Sequence, residues 1–274
     1  MAFEVKFWGV RGSIACATPQ HVGYGGNTSC IEVVVNDGRI ILDAGTGIRL
    51  LGKEVMRQHA RSGVLLLTHT HWDHVNGFPF FAPVYVPGWQ FRVMAGHLID
   101  RGGIREALSS QMTTPMFPVP LQALRAEMSY EDFRAGDTLT DLQPGVVVKS
   151  APLNHPNGAT GYRIEYQGRA VAYITDTEHT PGTPDKNVLG LMEGADLAIY
   201  DCTYTDDEYP SRVGWGHSTW QEGVRLARQA GVRRLAIFHH DPDHTDDVME
   251  KIESQVREIW SGAIVAREGM TISI

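Results

Sequence analysis

Leu66-Leu67-Thr68-His69-Thr70-His71-Trp72-Asp73-His74 is the stretch on which the fold turns. It begins inside a continuous apolar run, residues 63–68, as expected of a strand covered on both faces, and ends as an HxHxDH string. Leaving a strand end, His69 and His71 project together, while Asp73 and His74 enter a short turn or helix. Three imidazoles and a carboxylate within six residues are costly to desolvate unless something binds them. A divalent cation answers that cost, because neutral imidazole and carboxylate are natural ligands of zinc, manganese and iron.

Outward from this string, short runs rich in β-branched residues alternate with turn signals. Residues 3–8, 30–35 and 39–42 read as strands, the last two joined by Asn36-Asp37-Gly38, a hairpin signal. Residues 47–59 have helical spacing, with Ile48, Leu51 and Val55 on one face. Further strands are expected at 91–95, 146–151, 162–166, 170–175, 197–200 and 235–238, and near Ile264 and Ile272. Ser218 with Gln221 predicts a capped helix to Gln229, stopped by Gly231. Asp243 or Thr245 caps the next, with Val248, Ile252, Val256 and Ile259 as its stripe. No internal repeat or linker interrupts residues 1–274, which read as one domain. Residues 96–135, with Gly102-Gly103, Pro118-Val119-Pro120 and three methionines, read as an irregular, lid-like insertion.

Composition narrows the function. Of 274 residues, 42% are hydrophobic and 20% charged, an ordinary globular balance that excludes disorder, collagen and coiled coil. Acidic residues outnumber basic ones 32 to 24, a net charge of -8, which makes a poor general binder of nucleic-acid backbones or anionic membranes. Cys16, Cys30 and Cys202 are odd in number and lack CxxC spacing, against both a disulfide framework and a thiolate zinc site. The N-terminus has no secretory pattern and the longest apolar runs are far too short for a bilayer, so a cytoplasmic location is expected. Twelve histidines, unevenly spread, are the exception to this ordinary composition.

The HxHxDH string resembles the hallmark of the metallo-β-lactamase-fold hydrolases. The likeness runs along nearly the whole chain: Leu42-Asp43-Ala44-Gly45-Thr46-Gly47 is similar to the turn preceding the hallmark. Asn154-His155, Thr175-Asp176 and Phe238-His239 match its later motifs in order. The resemblance implies an αββα sandwich, two mixed sheets flanked by helices with a metal site at one edge. It implies two divalent metal ions, zinc first, with manganese or iron as alternatives. His69, His71 and His155 would hold one, and Asp73, His74 and His239 the other, with Asp176 shared. A metal-activated hydroxide would be the nucleophile.

Gly216-His217-Ser218-Thr219 is similar to the GHST motif of the 3′-end tRNA-processing nucleases of this superfamily, where the histidine acts near the leaving oxygen. Asp73 and His217 are therefore the candidate catalytic residues, the imidazole protonating a departing alkoxide. Tyr200-Asp201-Cys202 and the segment after Pro152 resemble related cyclic-phosphate phosphodiesterases. The GHTPG string of glyoxalases, lactonases and several β-lactamases is absent, and His71 stands where di-iron oxygen reductases carry glutamate. These features favour phosphodiester hydrolysis over hydrolysis of a carboxylic ester, lactone or β-lactam, and over a non-catalytic di-metal sensor of oxygen or redox state.

The glycine-rich strings Gly9–Ser13 and Gly23–Ser29 offer Arg11 and Asn27 as substrate-binding residues, since glycine lets backbone amides approach an anion. No basic, glycine-rich arm of the nuclease kind is found, and the insertion holds only Arg101, Arg105, Arg125 and Arg134 as cations. With the acidity, this points to a small phosphodiester such as a cyclic nucleotide or cyclic phosphate rather than a nucleic-acid polymer. Met112, Met116 and Phe117 suit a lid or a homodimer contact.

Overall fold

The β-branched runs build two sheets, and the computed structural model describes residues 2–274. In chain order the first sheet takes β1 (Phe3–Gly9), β2 (Cys30–Val35), β3 (Gly38–Leu42), β4 (Ser62–Leu67), β5 (Gln90–Ala95) and β6 (Glu127–Asp132). The second takes β7 (Thr138–Leu139), β8 (Val146–Leu153), β9 (Ala159–Tyr166), β10 (Arg169–Ile174), β11 (Leu197–Asp201), β12 (Leu235–Phe238) and β13 (Ala263–Val265). β14 (Thr271–Ser273) returns to pair with β1. Among the described residues each sheet then has seven strands, ordered β14-β1-β2-β3-β4-β5-β6 and β13-β12-β11-β10-β9-β8-β7. Both are mixed. β1 to β3 pair antiparallel and β3 to β6 parallel, while β7 to β10 pair antiparallel and β10 to β13 parallel. The β2–β3 hairpin turns where expected, with Asn36 in the left-handed region at φ 51°.

Three apolar layers hold the sheets. Between them, Phe7, Val33, Ile40 and Leu66 meet Tyr162, Ile164, Ile199 and Phe238, all fully buried. Outside the first sheet lie α1 (Ile48–Val55), the single turn α2 (Trp72–Val75) and α3 (Gly103–Gln111); Ile48, Leu51, Ile104 and Leu108 cover Ile41, Leu65 and Val93. Outside the second lie α4 (Lys186–Met192), α5 (Trp220–Gln229) and α6 (Asp246–Ile259), whose Val188, Val224 and Ile252 cover Ala172, Ala198 and Ile237. The result is the αββα sandwich expected. Each Val, Leu, Ile or Phe among them contributes roughly 1.5–3 kcal/mol by leaving water.

Three expectations need correction. The cap of α5 is Thr219, whose hydroxyl accepts from the Glu222 amide at 3.1 Å; Ser218 turns inward instead. Residues 96–135 are not irregular throughout. They contain α3 and β6, and Asp132 of β6 caps α3 by accepting from the Ile104 amide at 3.0 Å. β6 is polar because it is an edge strand half open to water, which is why apolar periodicity missed it. α4 was not anticipated either; its first turn is capped by the Asp185 carboxylate. Among the described residues no helix is long and apolar enough to cross a membrane.

At one edge the sheets are tied together. Beyond β1, the Gly12 amide donates to the His240 carbonyl and the His240 amide to the Val10 carbonyl, each at 3.0 Å. The carboxyl ends of β3, β4, β8, β10, β11 and β12 all open on that edge.

Candidate metal centre

Every imidazole and carboxylate singled out in the HxHxDH string and its partners leaves one of these strand ends. His69 and His71 follow β4, His155 follows β8, Asp176 follows β10 and His239 follows β12, while Asp73 and His74 sit in α2. Donor atoms of His69, His71 and His155 lie within 4.8 Å of one another, as do those of Asp73, His74, Asp176 and His239. Asp176 joins the two groups: its Oδ1 is 3.7 Å from His69 Nε2 and 3.6 Å from His155 Nε2. Its Oδ2 is 3.1 Å from His74 Nε2 and 3.2 Å from His239 Nε2.

The ring nitrogens facing away from the cluster are all engaged, except on His71. His74 Nδ1 meets Asp43 Oδ2 at 2.9 Å, His155 Nδ1 the Gly216 carbonyl at 2.8 Å, His239 Nδ1 the Thr203 hydroxyl and His69 Nδ1 the Thr68 hydroxyl, each at 3.1 Å. These contacts put the ring protons outside and turn lone pairs inward. Inside, His155 Nε2 faces His71 Nδ1 at 3.1 Å and His74 Nε2 faces His239 Nε2 at 3.3 Å, while His69 Nε2 is buried with no partner. Converging imidazole lone pairs and an orphaned buried nitrogen fit two cations, one per donor group.

Electrostatics agree. Burial opposes charge on His74, yet the carboxylates of Asp176, Asp73 and Asp43 outweigh it and raise its pKa well above the imidazole range. Burial also works against Asp176 and Asp73. His239 and His74 around Asp176, and His74 with His239 around Asp73, hold both carboxyls well below their usual range. The charge balance around Asp73, His74 and Asp176 thus favours a cation, while burial keeps His69, His71 and His155 toward the neutral form in which imidazole ligates.

The backbone is strained where it serves the site. Asp43, Asp176 and His239 all adopt left-handed conformations, at φ 62°, 57° and 62°. Two glycines make room for ligand rings: a Cβ on Gly12 would lie 2.5 Å from His239 Cε1, and one on Gly216, at φ 86°, 2.4 Å from His155 Nδ1. The N-terminal glycine string therefore clears space for a histidine.

His217 stands beside the donors. Its Nδ1 is 3.0 Å from Asp201 Oδ2 and 3.8 Å from Asp176 Oδ1, and its Nε2 has no partner among the described residues. Burial lowers its affinity for a proton, but Asp201, then Asp176 and Asp73, override that, and its pKa is raised to about 9.

Other sequence assignments move. Arg11 is fully buried; its Nε donates to the Gly25 carbonyl and its Nη1 to those of Asp241 and His244, so it fastens loops rather than facing a phosphate. Asn27 binds Glu268 through both its backbone amide and its side chain, again within the scaffold. His179 is buried, stacked on Tyr209 at 4.2 Å and 2.8 Å from the Ser218 hydroxyl. Trp72, inside the HxHxDH string, is exposed. Asp43 went unassigned although it takes donors from Thr68, His74 and Tyr173. Its one signal was a carboxylate closing the apolar strand β3.

Fold and site define the class: a metal-dependent hydrolase of the metallo-β-lactamase fold. A family model described as "Beta-lactamase superfamily domain" matches residues 38–240, and the chain belongs to that family. Among its relatives is the Ribonuclease Z of Haloarcula marismortui, 25% identical across 98% of this chain and 96% of that protein. Among solved structures, the metallo-β-lactamase-fold protein YhfI of Bacillus subtilis superposes with a TM-score of 0.73 at 18% identity, covering 99% of both chains. The short form of human tRNase Z superposes with a TM-score of 0.68 at 18% identity, again covering 99% of both. These findings overturn the expectation that a nucleic-acid polymer is a poor partner. Proteins matching the chain end to end bear the name of a ribonuclease. Net charge averages over the whole surface, whereas a phosphate meets only the local field at the cations.

Proposed function

We propose that the chain is a phosphodiesterase acting on ribonucleotides, with RNA as the substrate class to which its relatives' name points. The observation that carries this reading is the His217–Asp201 pair at 3.0 Å beside a donor set built for two cations. An acid for the leaving oxygen is what phosphodiester cleavage needs and what a di-metal sensor does not.

His69, His71 and His155 would hold one cation, Asp73, His74 and His239 the other, with Asp176 between them; zinc suits this nitrogen-rich set best. When bound, the pair supplies an acidified water and neutralises charge on the phosphoryl oxygens. Asp73 Oδ2 is fixed by the Ser13 amide at 2.8 Å, while Oδ1 has no partner among the described residues and can accept a hydrogen bond from the attacking water and so orient it. His217, held at Nδ1 by Asp201, gives its Nε2 proton to the departing oxygen. Asp201 is itself fixed by the Thr177 and Thr203 amides and the Thr203 hydroxyl, so the imidazole does not swing.

The test is hydrolysis of bis(p-nitrophenyl) phosphate by protein loaded with zinc, manganese or iron, beside a His71→Ala control. Metal-dependent turnover lost in the control is expected. RNA with a 3′ extension and the 2′,3′- and 3′,5′-cyclic nucleotides, which present the same group in a small molecule, then rank the substrates. Two metals bound per chain without turnover of any of these would overturn the reading.

A further inference from the structure

Thr70 and Trp72 are interleaved in the chain with His69, His71 and Asp73, and they form one wall of a cavity of about 530 Å3. Phe80, Met116 and Phe117 line it as well. Trp72 is 78% exposed, Phe80 55% and Met116 76%, so three large apolar side chains are held in water around one concavity. Phe80 and Phe117 brace each other edge to face, centroids 5.7 Å apart, which fixes that wall. The same wall contains one polar group with nothing to do. The Asn76 carboxamide makes no hydrogen bond among the described residues, and its Oδ1 is buried without a partner. Native structures rarely leave a buried amide oxygen unpaired.

An apolar slot with one free carboxamide matches a flat ring with apolar faces and a hydrogen-bonding edge. We propose that this cavity is a nucleobase subsite, in which a base of the substrate stacks on Trp72 and Phe80 and is read along its edge by Asn76. The proposal rests on the phosphodiesterase reading. The cavity is lined by Thr70 and Trp72, the chain neighbours of His69, His71 and Asp73, so a base seated there belongs to the same substrate whose phosphate the donor set would meet. Among the described residues no hydrogen bond holds the Asn76 carboxamide in place, so it can turn its buried oxygen, or its nitrogen, toward a base without breaking one.

The test uses the metal-loaded full chain, titrated by calorimetry with adenosine 5′-monophosphate and, separately, with inorganic phosphate. Base stacking is worth about 1–3 kcal/mol by alanine substitution, at least a fivefold change in affinity. Trp72→Ala is therefore expected to lower the ratio of nucleotide to phosphate affinity at least fivefold, with Trp72→Phe restoring it to within about twofold of wild type. The wild type should separate the adenosine, cytidine, guanosine and uridine monophosphates, and Asn76→Leu should narrow their spread. An unmoved ratio in Trp72→Ala overturns the subsite, and equal affinities for the four nucleotides overturn the role of Asn76. A dimer in light scattering that dissociates on Trp72→Ala assigns the cavity to a second copy of the chain and also overturns the proposal. Nucleotide affinity that depends on Trp72, in a protein with no phosphodiesterase turnover, would support the subsite while sinking the reading of the reaction.

Discussion

His217 keeps one nitrogen against Asp201 and the other free, and that asymmetry makes its role measurable. Replacing it with alanine should cut turnover of a nucleotide substrate about 10²–10⁴-fold. Bis(p-nitrophenyl) phosphate, whose phenolate leaves without a proton, should lose far less; equal losses would argue against the acid role. The group is protonated below its pKa of about 9, so the rate should fall as pH rises through an alkaline limb. Bound cations, repelling its charge, place that limb at or below pH 9. Asp43 acts more remotely, orienting His74 from 2.9 Å. Asp43→Asn should weaken zinc binding about 10–100-fold in chelator competition, whereas unchanged affinity would leave Asp43 a purely architectural residue. The donor set was legible because four of its members stand within six residues of sequence and the rest close apolar runs. Asp43 was not, since nothing local marks a carboxylate as a partner of a histidine 31 positions away. Arg11 was misread for the same reason. Glycines around it suggested an open loop, while two of its acceptors, Asp241 and His244, lie 230 and 233 residues distant.

Elements place these groups through constraints a residue list does not carry. Gly216 precedes His217 at φ 86° and lies where any side chain would strike His155. Gly216→Ala should displace that ring and lower metal content and activity together while leaving the circular dichroism of the sheets intact. Full metal occupancy in the variant would show that the loop can yield. Buried strands were readable as continuous apolar runs, α6 from its stripe, and α5 from a capping pattern read one residue early and the Gly231 stop. The edge strand β6, Glu-Met-Ser-Tyr-Glu-Asp, has too little apolar surface for periodicity to reveal it. α4 is only seven residues long. The position of an element's last residue mattered more than its length. Thr219 rather than Ser218 caps α5, which frees the Ser218 hydroxyl to join Tyr200 and His179 behind the catalytic loop.

Across the whole molecule, the tie between the two sheets sets an acid limit on stability. His240 lies in that tie, where burial first and the Arg11 charge second push its pKa down to about 3. In the unfolded chain it titrates near 6.5. Between about pH 6.5 and 3 the unfolded state therefore binds a proton that the folded state refuses, and stability falls as pH falls. Above pH 6.5 both states are neutral and the residue contributes nothing to the slope. Urea midpoints measured from pH 7 to pH 4 should drop less steeply in His240→Gln than in wild type; an identical slope would place the acid sensitivity elsewhere. The same edge holds donors numbered from His69 to His239, four from the first sheet and three from the second. A chain emerging from the ribosome offers His69, His71 and His155 well before His239, so the donor group that includes His239 is the last to be completed, once β12 is paired. Filling both donor groups would therefore require a nearly finished sandwich, whereas the three-histidine group alone would not.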